Sequence, residues 1–295
     1  MGTPAPGDLT EAFERERRGL FTHAYRMLGG YHEAEDVVQD TYVRALRGWE
    51  TFAGRSSVRT WLYRIATNVC LTVLDGRGRR DLAIDLGSGD SGGLWLQPLP
   101  TDPLDLVTTR ESVRLAFVAG LQHLAPRQRA VLLFREVLAF SAAETAAALD
   151  MTVPAVKSAL QRARARLAEV APTRDDLLDS SSPRAKQLLA GYLAAWEASD
   201  ADAFRDVLRA DAAIEPVGAR TSYTGREACL AFATPAMGGA GDWRLVATEA
   251  NAQPAAVAWL RGELFGVAVL TVAEDGIVAI TLFGDPQVAA TFTTT

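Results

Sequence analysis

SAAETAAALDMTVPAVKSALQRARARL, residues 141–167, is the stretch that decides the fold of the middle of the chain. Ser141 and Glu144 have the spacing of a capping box, in which each side chain bonds the backbone N–H of the other residue. A first helix ends before Asp150, and Thr152 stands where an N-cap would begin a second helix. Two short helices joined by a three-residue turn predict a helix-turn-helix motif.

The second helix of this motif divides into an apolar stripe and a polar face. The stripe consists of Val156, Leu160, Ala163 and Leu167. The polar face carries Lys157, Ser158, Gln161, Arg162, Arg164 and Arg166. A DNA-reading helix presents its N-terminal side chains to base edges and uses arginines to neutralise phosphates. The pattern favours such a helix over the alternative, an amphipathic surface helix whose charges are only solvated.

Charge is unevenly distributed along the 295 residues, although the formal net charge is only -6. Two segments are basic: residues 1–80 hold 12 basic and 10 acidic residues, and residues 111–170 hold 8 basic and 5 acidic residues. Two segments are acidic: residues 81–110 hold 1 basic and 5 acidic residues, and residues 171–295 hold 9 basic and 16 acidic residues. Because the acidic excess lies in separate segments, the average does not exclude DNA binding by the two basic ones.

Composition also indicates where the protein acts and whether it holds a metal or a cofactor. No apolar run approaches the ~20 residues of a membrane helix, and the first residues lack a basic-then-apolar signal pattern. Two cysteines, Cys70 and Cys229, are too few and too far apart for a disulfide framework or a zinc knuckle. We therefore expect a cytoplasmic protein that uses no membrane, no metal and no cofactor.

Two stretches rich in glycine, proline and serine divide the chain. The folded pieces are expected at 8–80, 105–171 and 184–290, joined by an acidic linker at 81–104 and a second linker at 172–183. The first two pieces show helical periodicity and predict all-α domains. The third piece starts with helices and continues with short β-like runs, which predict an α+β domain with a curved antiparallel sheet. These runs are Trp243–Ala247, Ala255–Leu260, Leu264–Val272 and Ile277–Phe283.

Two segments of the first piece carry further patterns. The helix expected at 33–46 has apolar residues on one face, namely Ala34, Val37, Val38, Tyr42 and Ala45. The segment 49–80 interleaves arginines with Trp49, Trp61 and Tyr63. Such a mixture suits unpaired DNA, because bases stack on aromatic faces while arginines hold the backbone. The alternative for this segment is that its aromatic side chains belong to the core.

Together these motifs resemble a bacterial RNA polymerase sigma factor of the extracytoplasmic-function type. Glu33–Leu46 resembles the core-polymerase-binding helix of that family, and Trp61–Asn68 resembles the helix that captures the melted minus-ten element. Leu124–Arg129 is similar to the opening of the fourth sigma region, and Ala155–Arg164 to its minus-thirty-five reader. Four motifs in the family's order, across about 170 residues, are far more specific than any one alone.

The resemblance implies a role for individual residues and names the partners. Core RNA polymerase would be bound through its β′ clamp helices and β flap, and the residues expected to touch it are Glu35, Asp36, Gln39 and Asp40. Promoter DNA would be read at the minus-ten element by Arg59, Trp61, Arg64 and Asn68. The minus-thirty-five element would be read by Thr152, Lys157, Ser158, Gln161 and Arg162. Two positions depart from the family pattern, with Asp150 in place of a glycine and Ala159 in place of a frequent arginine.

Residues 184–290 resemble the SnoaL-like α+β cone fold of polyketide cyclases and ketosteroid isomerases. The aromatic residues that either line a pocket or form plain core are Tyr192, Trp196, Phe204, Trp243 and Trp259. We expect no catalytic residue here, because all three histidines lie outside the domain and its carboxylates form no recognisable acid–base pair. The resemblance instead implies a domain that regulates the sigma regions in cis. Whether this domain also binds an unidentified small ligand stays open.

The sequence thus predicts a promoter-specificity subunit of RNA polymerase that is not an enzyme. One alternative is a one-component DNA-binding regulator with a ligand-binding tail, which would leave Glu33–Leu46 unexplained. The other is a SnoaL-like cyclase or isomerase with a DNA-binding head, which would need a pocket containing a perturbed carboxylate.

Overall fold

The computed structural model describes residues 6–54, 56–84, 96–100, 114–170, 176–218 and 221–293. Its described residues form two compact units. The first unit lies within Met1–Leu96 and Ala116–Pro172, and the second within Gln97–Leu115 and Thr173–Thr295. In the described part of the chain, no helix is long and apolar enough to cross a membrane. Of the predicted linkers, residues 85–95, 101–104 and 172–175 lie outside the described residues.

The first unit is built from helices, as predicted. They are α1 Pro6–Leu28, α2 Tyr31–Gly48, α3 Val58–Ile84, α4 Leu115–Gln122, α5 Pro126–Leu132, α6 Ala142–Ala148 and α7 Val153–Val170. Helix α4 belongs to the first unit from Ala116 onward. The apolar face expected on α2 is confirmed, since Ala34, Val37 and Ala45 are fully or almost fully buried there. A short π-helical turn, Leu133–Val137, continues α5.

The helix-turn-helix is formed by α6 and α7, and its local signals are confirmed. The Ser141 N–H donates to the Glu144 carboxylate at 2.8 Å, and the Glu144 N–H donates to the Ser141 hydroxyl at 3.1 Å. At the turn Asp150 has φ +51°, a left-handed conformation that aspartate tolerates better than most residues. The Thr152 hydroxyl then accepts from the Ala155 N–H at 3.3 Å and caps α7.

A buried arginine ties α1 to the helices that precede the helix-turn-helix. Arg129 is 3% exposed and donates to the backbone carbonyl of Met27 at the end of α1. It also donates to the Gln122 side chain at 2.6 Å and to the Leu124 carbonyl at 3.2 Å. Burial lowers the pKa of Arg129 to about 10, so the guanidinium stays charged at neutral pH. The positive charge of Arg129 is thus stabilised by hydrogen bonds to carbonyl and amide oxygens.

A buried histidine lies in the same interior. His23 is 1% exposed, and its Nε2 lies 2.9 Å from the Thr67 hydroxyl of α3. Its ring also meets Phe134 edge-on at 5.7 Å. Burial, with a smaller effect of Arg26, lowers the pKa of His23 to about 3. The imidazole is therefore neutral and works as a packed core residue.

The second unit is the α+β domain expected from the sequence. Its helices are α8 Pro183–Ala198, α9 Ala201–Val207, α10 Arg226–Met237 and α11 Pro286–Ala290. Its strands are β1 Leu208–Pro216, β2 Tyr223–Thr224, β3 Trp243–Ala250, β4 Gln253–Leu260, β5 Glu263–Ala273 and β6 Gly276–Phe283. The four predicted β-like runs correspond to β3–β6, whereas β1 and β2 were not foreseen.

The sheet of the second unit has the order β2-β1-β6-β5-β4-β3. Strands β3 to β6 pair antiparallel as predicted, but β1 pairs with β6 in parallel, which corrects the expectation of a purely antiparallel sheet. The parallel pair arises because β6, the last strand in the chain, enters between β5 and β1. Helix α8 packs against β3 and β4, and α10 packs against β1.

Part of the predicted linker at 81–104 belongs to the second unit. The Leu99 N–H donates to the Asn251 side-chain oxygen at 2.8 Å, and the Asn251 N–H donates back to the Leu99 carbonyl at the same distance. At the other end of the connection, the Leu115 N–H donates to the Gln253 side chain at 2.9 Å. Arg114 pairs with Asp179 at 3.2 Å. Both described ends of the segment 97–115 are therefore bonded to the C-terminal domain.

Candidate nucleic-acid interface

Helix α7 presents the polar face that the sequence predicts. Lys157, Ser158, Gln161 and Arg162 are exposed, while Val156 and Ala163 are fully buried on the opposite side. The Arg162 guanidinium donates to the Ser158 hydroxyl one turn away at 2.6 Å. Ala159, at a position where arginine is frequent in the family, is buried instead. Lys157, Ser158 and Gln161 lie in the first half of the helix, where a recognition helix meets base edges, and Arg162 follows directly.

Helix α3 carries the second predicted set of DNA contacts. Arg59, Arg64 and Asn68 are exposed on it, whereas Trp61 is only half-exposed. The Trp61 ring lies 4.9 Å from Phe52 and 5.9 Å from Trp49, so it is the edge of an aromatic cluster. Of these four residues, Trp61 thus has a packing role inside the fold.

Two of the α3 residues contact the helix-turn-helix or the residue immediately before it, within the first unit. The Arg64 guanidinium pairs with the Asp150 carboxylate in the turn between α6 and α7, at 3.0 Å. Arg59 lies over the Phe140 ring, 5.0 Å from its centroid. Asp150, which stands where the family usually has a glycine, is thus the partner of a predicted minus-ten residue. No local sequence pattern predicts this pairing, since 86 residues separate Arg64 from Asp150.

Helix α2 presents the residues expected to bind polymerase. Its outer face exposes Glu35, Asp36, Gln39 and Asp40, with Asp40 paired to Arg44 at 3.6 Å. The same face continues into two large apolar side chains, Val43 at 42% and Leu46 at 44% exposure. Val43 and Leu46 were not among the predicted site residues, although the i+3 and i+4 spacing that links the acidic residues continues to both. We call Asp36, Gln39, Asp40, Val43 and Leu46 the α2 stripe.

The aromatic residues singled out in the third domain separate into two groups. Tyr192, Trp196 and Trp243 line a cavity of about 260 Å³. Phe204 is fully buried in the core, and the Trp259 ring faces the Arg244 guanidinium at 5.2 Å. No group of histidine, cysteine or acidic residues with metal-binding geometry occurs among the described residues.

Comparison with known proteins identifies the two helical segments of the first unit. Residues 12–80 match the family model Sigma-70 region 2, and residues 114–167 match Sigma-70, region 4. The ECF RNA polymerase sigma factor SigG of Mycobacterium tuberculosis is 46% identical over 303 residues, covering 95% of this chain and 82% of that protein. The RNA polymerase sigma-E factor of Streptomyces coelicolor is 31% identical over 166 residues, covering 56% of this chain and 87% of that protein.

A solved structure has the same fold over nearly the whole chain. The extracytoplasmic function sigma factor SigJ of Mycobacterium tuberculosis superposes with a TM-score of 0.69 at 21% identity, covering 95% of this chain and 98% of that one. Regions 2 and 4 in this order define a sigma-70-class transcription initiation factor, which binds core RNA polymerase and promoter DNA. The chain belongs to the ECF RNA polymerase sigma factors, a bacterial family, and its C-terminal unit has the predicted SnoaL-like fold.

Proposed function

We propose that this sigma factor binds core polymerase through the α2 stripe and reads the two promoter elements with α3 and α7, while its C-terminal domain restrains it in cis. It acts in the cytoplasm, where polymerase and chromosome lie, and takes no cofactor. The observation that carries the proposal is that α3 and α7 expose their predicted DNA-contacting residues, apart from the half-exposed Trp61, although the ion pair between Arg64 and Asp150 connects the two segments.

The α2 stripe supports polymerase binding by its combination of charge and exposed apolar surface. Asp36 and Asp40 supply negative charge that steers the approach of a basic partner. Val43 and Leu46 supply apolar area that gains free energy when it is covered. Such a pairing fits the β′ clamp helices, and region 4 would meet the β flap.

Promoter reading requires a change from the arrangement in the first unit. Minus-ten and minus-thirty-five elements lie about 25 base pairs apart, which is ~85 Å of duplex at ~3.4 Å per base pair. Arg64 and Asp150 are 3.0 Å apart. Because one chain cannot span both elements in this arrangement, α3 and α7 must separate when both are read. An exposed ion pair contributes little free energy, so this pair itself adds little to the cost of separation.

The C-terminal domain restrains this separation through the connecting segment. Asn251 and Gln253, which begin and follow the β3–β4 turn, hold the backbone at Leu99 and Leu115. These two backbone positions flank the chain that connects region 2 to region 4. Extending that connection would break both bonds, so the domain favours the closed arrangement. Part of the free energy gained on binding polymerase or DNA is then needed to release the connecting segment from the C-terminal domain.

No catalytic activity is part of the proposal. The described wall of the aromatic cavity lined by Tyr192, Trp196 and Trp243 contains no carboxylate and no imidazole. A cyclase or isomerase of this fold needs a base that faces the substrate. The domain is therefore assigned a regulatory role.

Run-off transcription with core polymerase on a genomic promoter library tests the proposal. The full chain is expected to start transcription at a defined set of promoters only when core polymerase is present. A protein that binds DNA without polymerase and starts no transcript would instead be a one-component regulator, and the proposal would fail. Turnover of a small substrate that depends on the C-terminal cavity would contradict the absence of catalysis.

Releasing the linker tests the restraint. Asn251 has φ +56°, so Asn251→Gly keeps the backbone conformation while it removes the oxygen that holds Leu99. Loss of one hydrogen bond of ~0.5–1.5 kcal/mol predicts a rise of about twofold to tenfold in the initial rate of run-off transcription. Ala252→Gly, at φ +56° in the same turn, is the matched control and should leave the rate unchanged. An unchanged or lower rate for Asn251→Gly would reject restraint by this bond.

A further inference from the structure

A buried histidine lies at the junction between region 2 and region 4 within the first unit. His23, on α1, is 1% exposed. Its ring meets Tyr63 of α3 edge-on at 5.4 Å and Phe134 of the π-helical turn at 5.7 Å. Both of these aromatic residues are themselves buried. The imidazole is thus enclosed by rings from both regions, and none of the predicted polymerase or DNA contacts involves it.

The hydrogen bonds of Thr67 fix which ring nitrogen of His23 carries the hydrogen. The Thr67 hydroxyl donates its single hydrogen to the Tyr63 carbonyl at 2.7 Å. It therefore accepts from His23 Nε2, which lies 2.9 Å away. A neutral imidazole with its hydrogen on Nε2 leaves Nδ1 as a bare lone pair. This Nδ1 is buried and has no hydrogen-bond partner among the described residues.

Nδ1 is the atom that would take up a proton, and its surroundings oppose the added charge. Arg26, one turn along α1, is buried and charged at neutral pH, and α5 adds the buried cation of Arg129. From α3 comes the Tyr63 phenol, which stays neutral because burial raises its pKa to about 12. The π-helical turn supplies only the apolar ring of Phe134. Burial, followed by the charge of Arg26, lowers the pKa of His23 to about 3.

Separation of the two regions changes these surroundings. Phe134 leaves with region 4, as does Arg129, which donates to the Met27 carbonyl in the closed arrangement. One side of the His23 ring then meets water, where histidine has an ordinary pKa of ~6.5. An arrangement that binds a proton more readily is favoured as the pH falls. The closed arrangement keeps its full advantage above about pH 6.5 and loses it progressively as the pH falls towards about 3.

We propose that His23 is an acid-sensitive switch: a proton taken up at Nδ1 releases region 4 from region 2 and raises the fraction of the chain that can read a promoter. The inference rests on the proposed separation of the two regions and adds a signal that drives it. Lowering the pH from about 7.5 to about 5.5 multiplies the ratio of open to closed molecules by about ten, given the pKa values of the two arrangements. Carboxylates, with ordinary pKa values of ~4, stay largely ionised over this range.

Single-molecule fluorescence energy transfer in the full chain, without polymerase or DNA, counts open and closed molecules. The dyes are carried by Glu50→Cys in region 2 and Ala165→Cys on α7, since both positions are exposed. The native thiols of Cys70 and Cys229 are buried and stay unlabelled. The ratio of low-transfer to high-transfer molecules should rise about tenfold between pH ~7.5 and pH ~5.5. A rise of less than about twofold would overturn the inference.

His23→Gln tests the group itself. Glutamine keeps a side-chain N–H for Thr67 but does not titrate, so the ratio should stay within about twofold over the same pH range. The matched control makes the same substitution at the other two histidines of the chain, His32 and His123, which are exposed. His32→Gln with His123→Gln should retain the tenfold response.

The remaining outcomes distinguish the switch from other acid effects. Equal acid responses in the wild type and His23→Gln, or a lost response in the control, would reject His23 as the sensor. Circular dichroism should stay constant while energy transfer falls, and a parallel loss of helix would show unfolding instead of a switch. If His23→Gln does not fold, the wild-type ratio and the control still decide. Because the measurement needs no polymerase, a constant ratio leaves promoter recognition intact, and a failed transcription assay leaves the switch intact.

Discussion

Arg129→Met is expected to lower the free energy of unfolding of the first unit by about 3–5 kcal/mol, because it leaves several buried carbonyl groups without a donor. The guanidinium makes four hydrogen bonds to described residues, one of them to Met27 at the end of α1. Methionine has a similar length but donates none. Hydrogen exchange of the α5 amides, followed by mass spectrometry, should show protection reduced by more than about a hundredfold.

Arg127→Met is the matched control for this prediction. Arg127 lies on the same helix two residues earlier, but its side chain is exposed. The same change of residue type there should alter stability by less than about 0.5 kcal/mol. Equal protection in the two variants would mean that the buried hydrogen bonds of Arg129 do not stabilise the unit.

The double change Asp36→Arg with Asp40→Arg is expected to weaken binding to core polymerase by at least about a hundredfold. Each substitution replaces an exposed carboxylate of the α2 stripe with a cation. Like charges brought together at an interface cost several kcal/mol, and ~2.8 kcal/mol corresponds to a hundredfold loss. The affinity can be measured by titrating labelled sigma factor with core polymerase at fixed salt. Run-off transcription should fall in parallel.

The control applies the same charge change elsewhere in region 2. Glu11→Arg with Glu14→Arg alters two exposed acidic residues of α1, paired to Arg15 and Arg17 at 3.8 and 3.4 Å. This variant should bind polymerase within about threefold of the wild type. If both double variants lose affinity equally, net charge rather than the α2 stripe determines binding.

The helical part of the fold could be read from the sequence because its signals are local. The capping box at Ser141 and the apolar spacing on α2 act within a few residues, and the structure confirms both. The exposed positions predicted on α3 and α7 follow from the same periodicity. Strand β1 escaped detection because its partner β6 lies about 65 residues away in the chain.

The candidate site likewise contains residues that local sequence patterns predict and residues that they do not. Lys157 and Arg162 were found as exposed residues of a polar helix face, and their roles remain predictions. Val43 and Leu46 were missed because an apolar residue reads as core until its surroundings are known. The cavity was foreseen only as one of two alternatives for a set of aromatic residues.

The sequence by itself determined the class of protein, the helix-turn-helix and the chemical character of each helix face, since capping, spacing and charge are properties of neighbouring residues. Only the tertiary structure decided that Asp150 pairs with Arg64, that Asn251 holds Leu99 and that Tyr192 lines a cavity. These contacts join residues about 90 to 150 positions apart or depend on empty space. They follow from how whole elements pack, which no local pattern encodes.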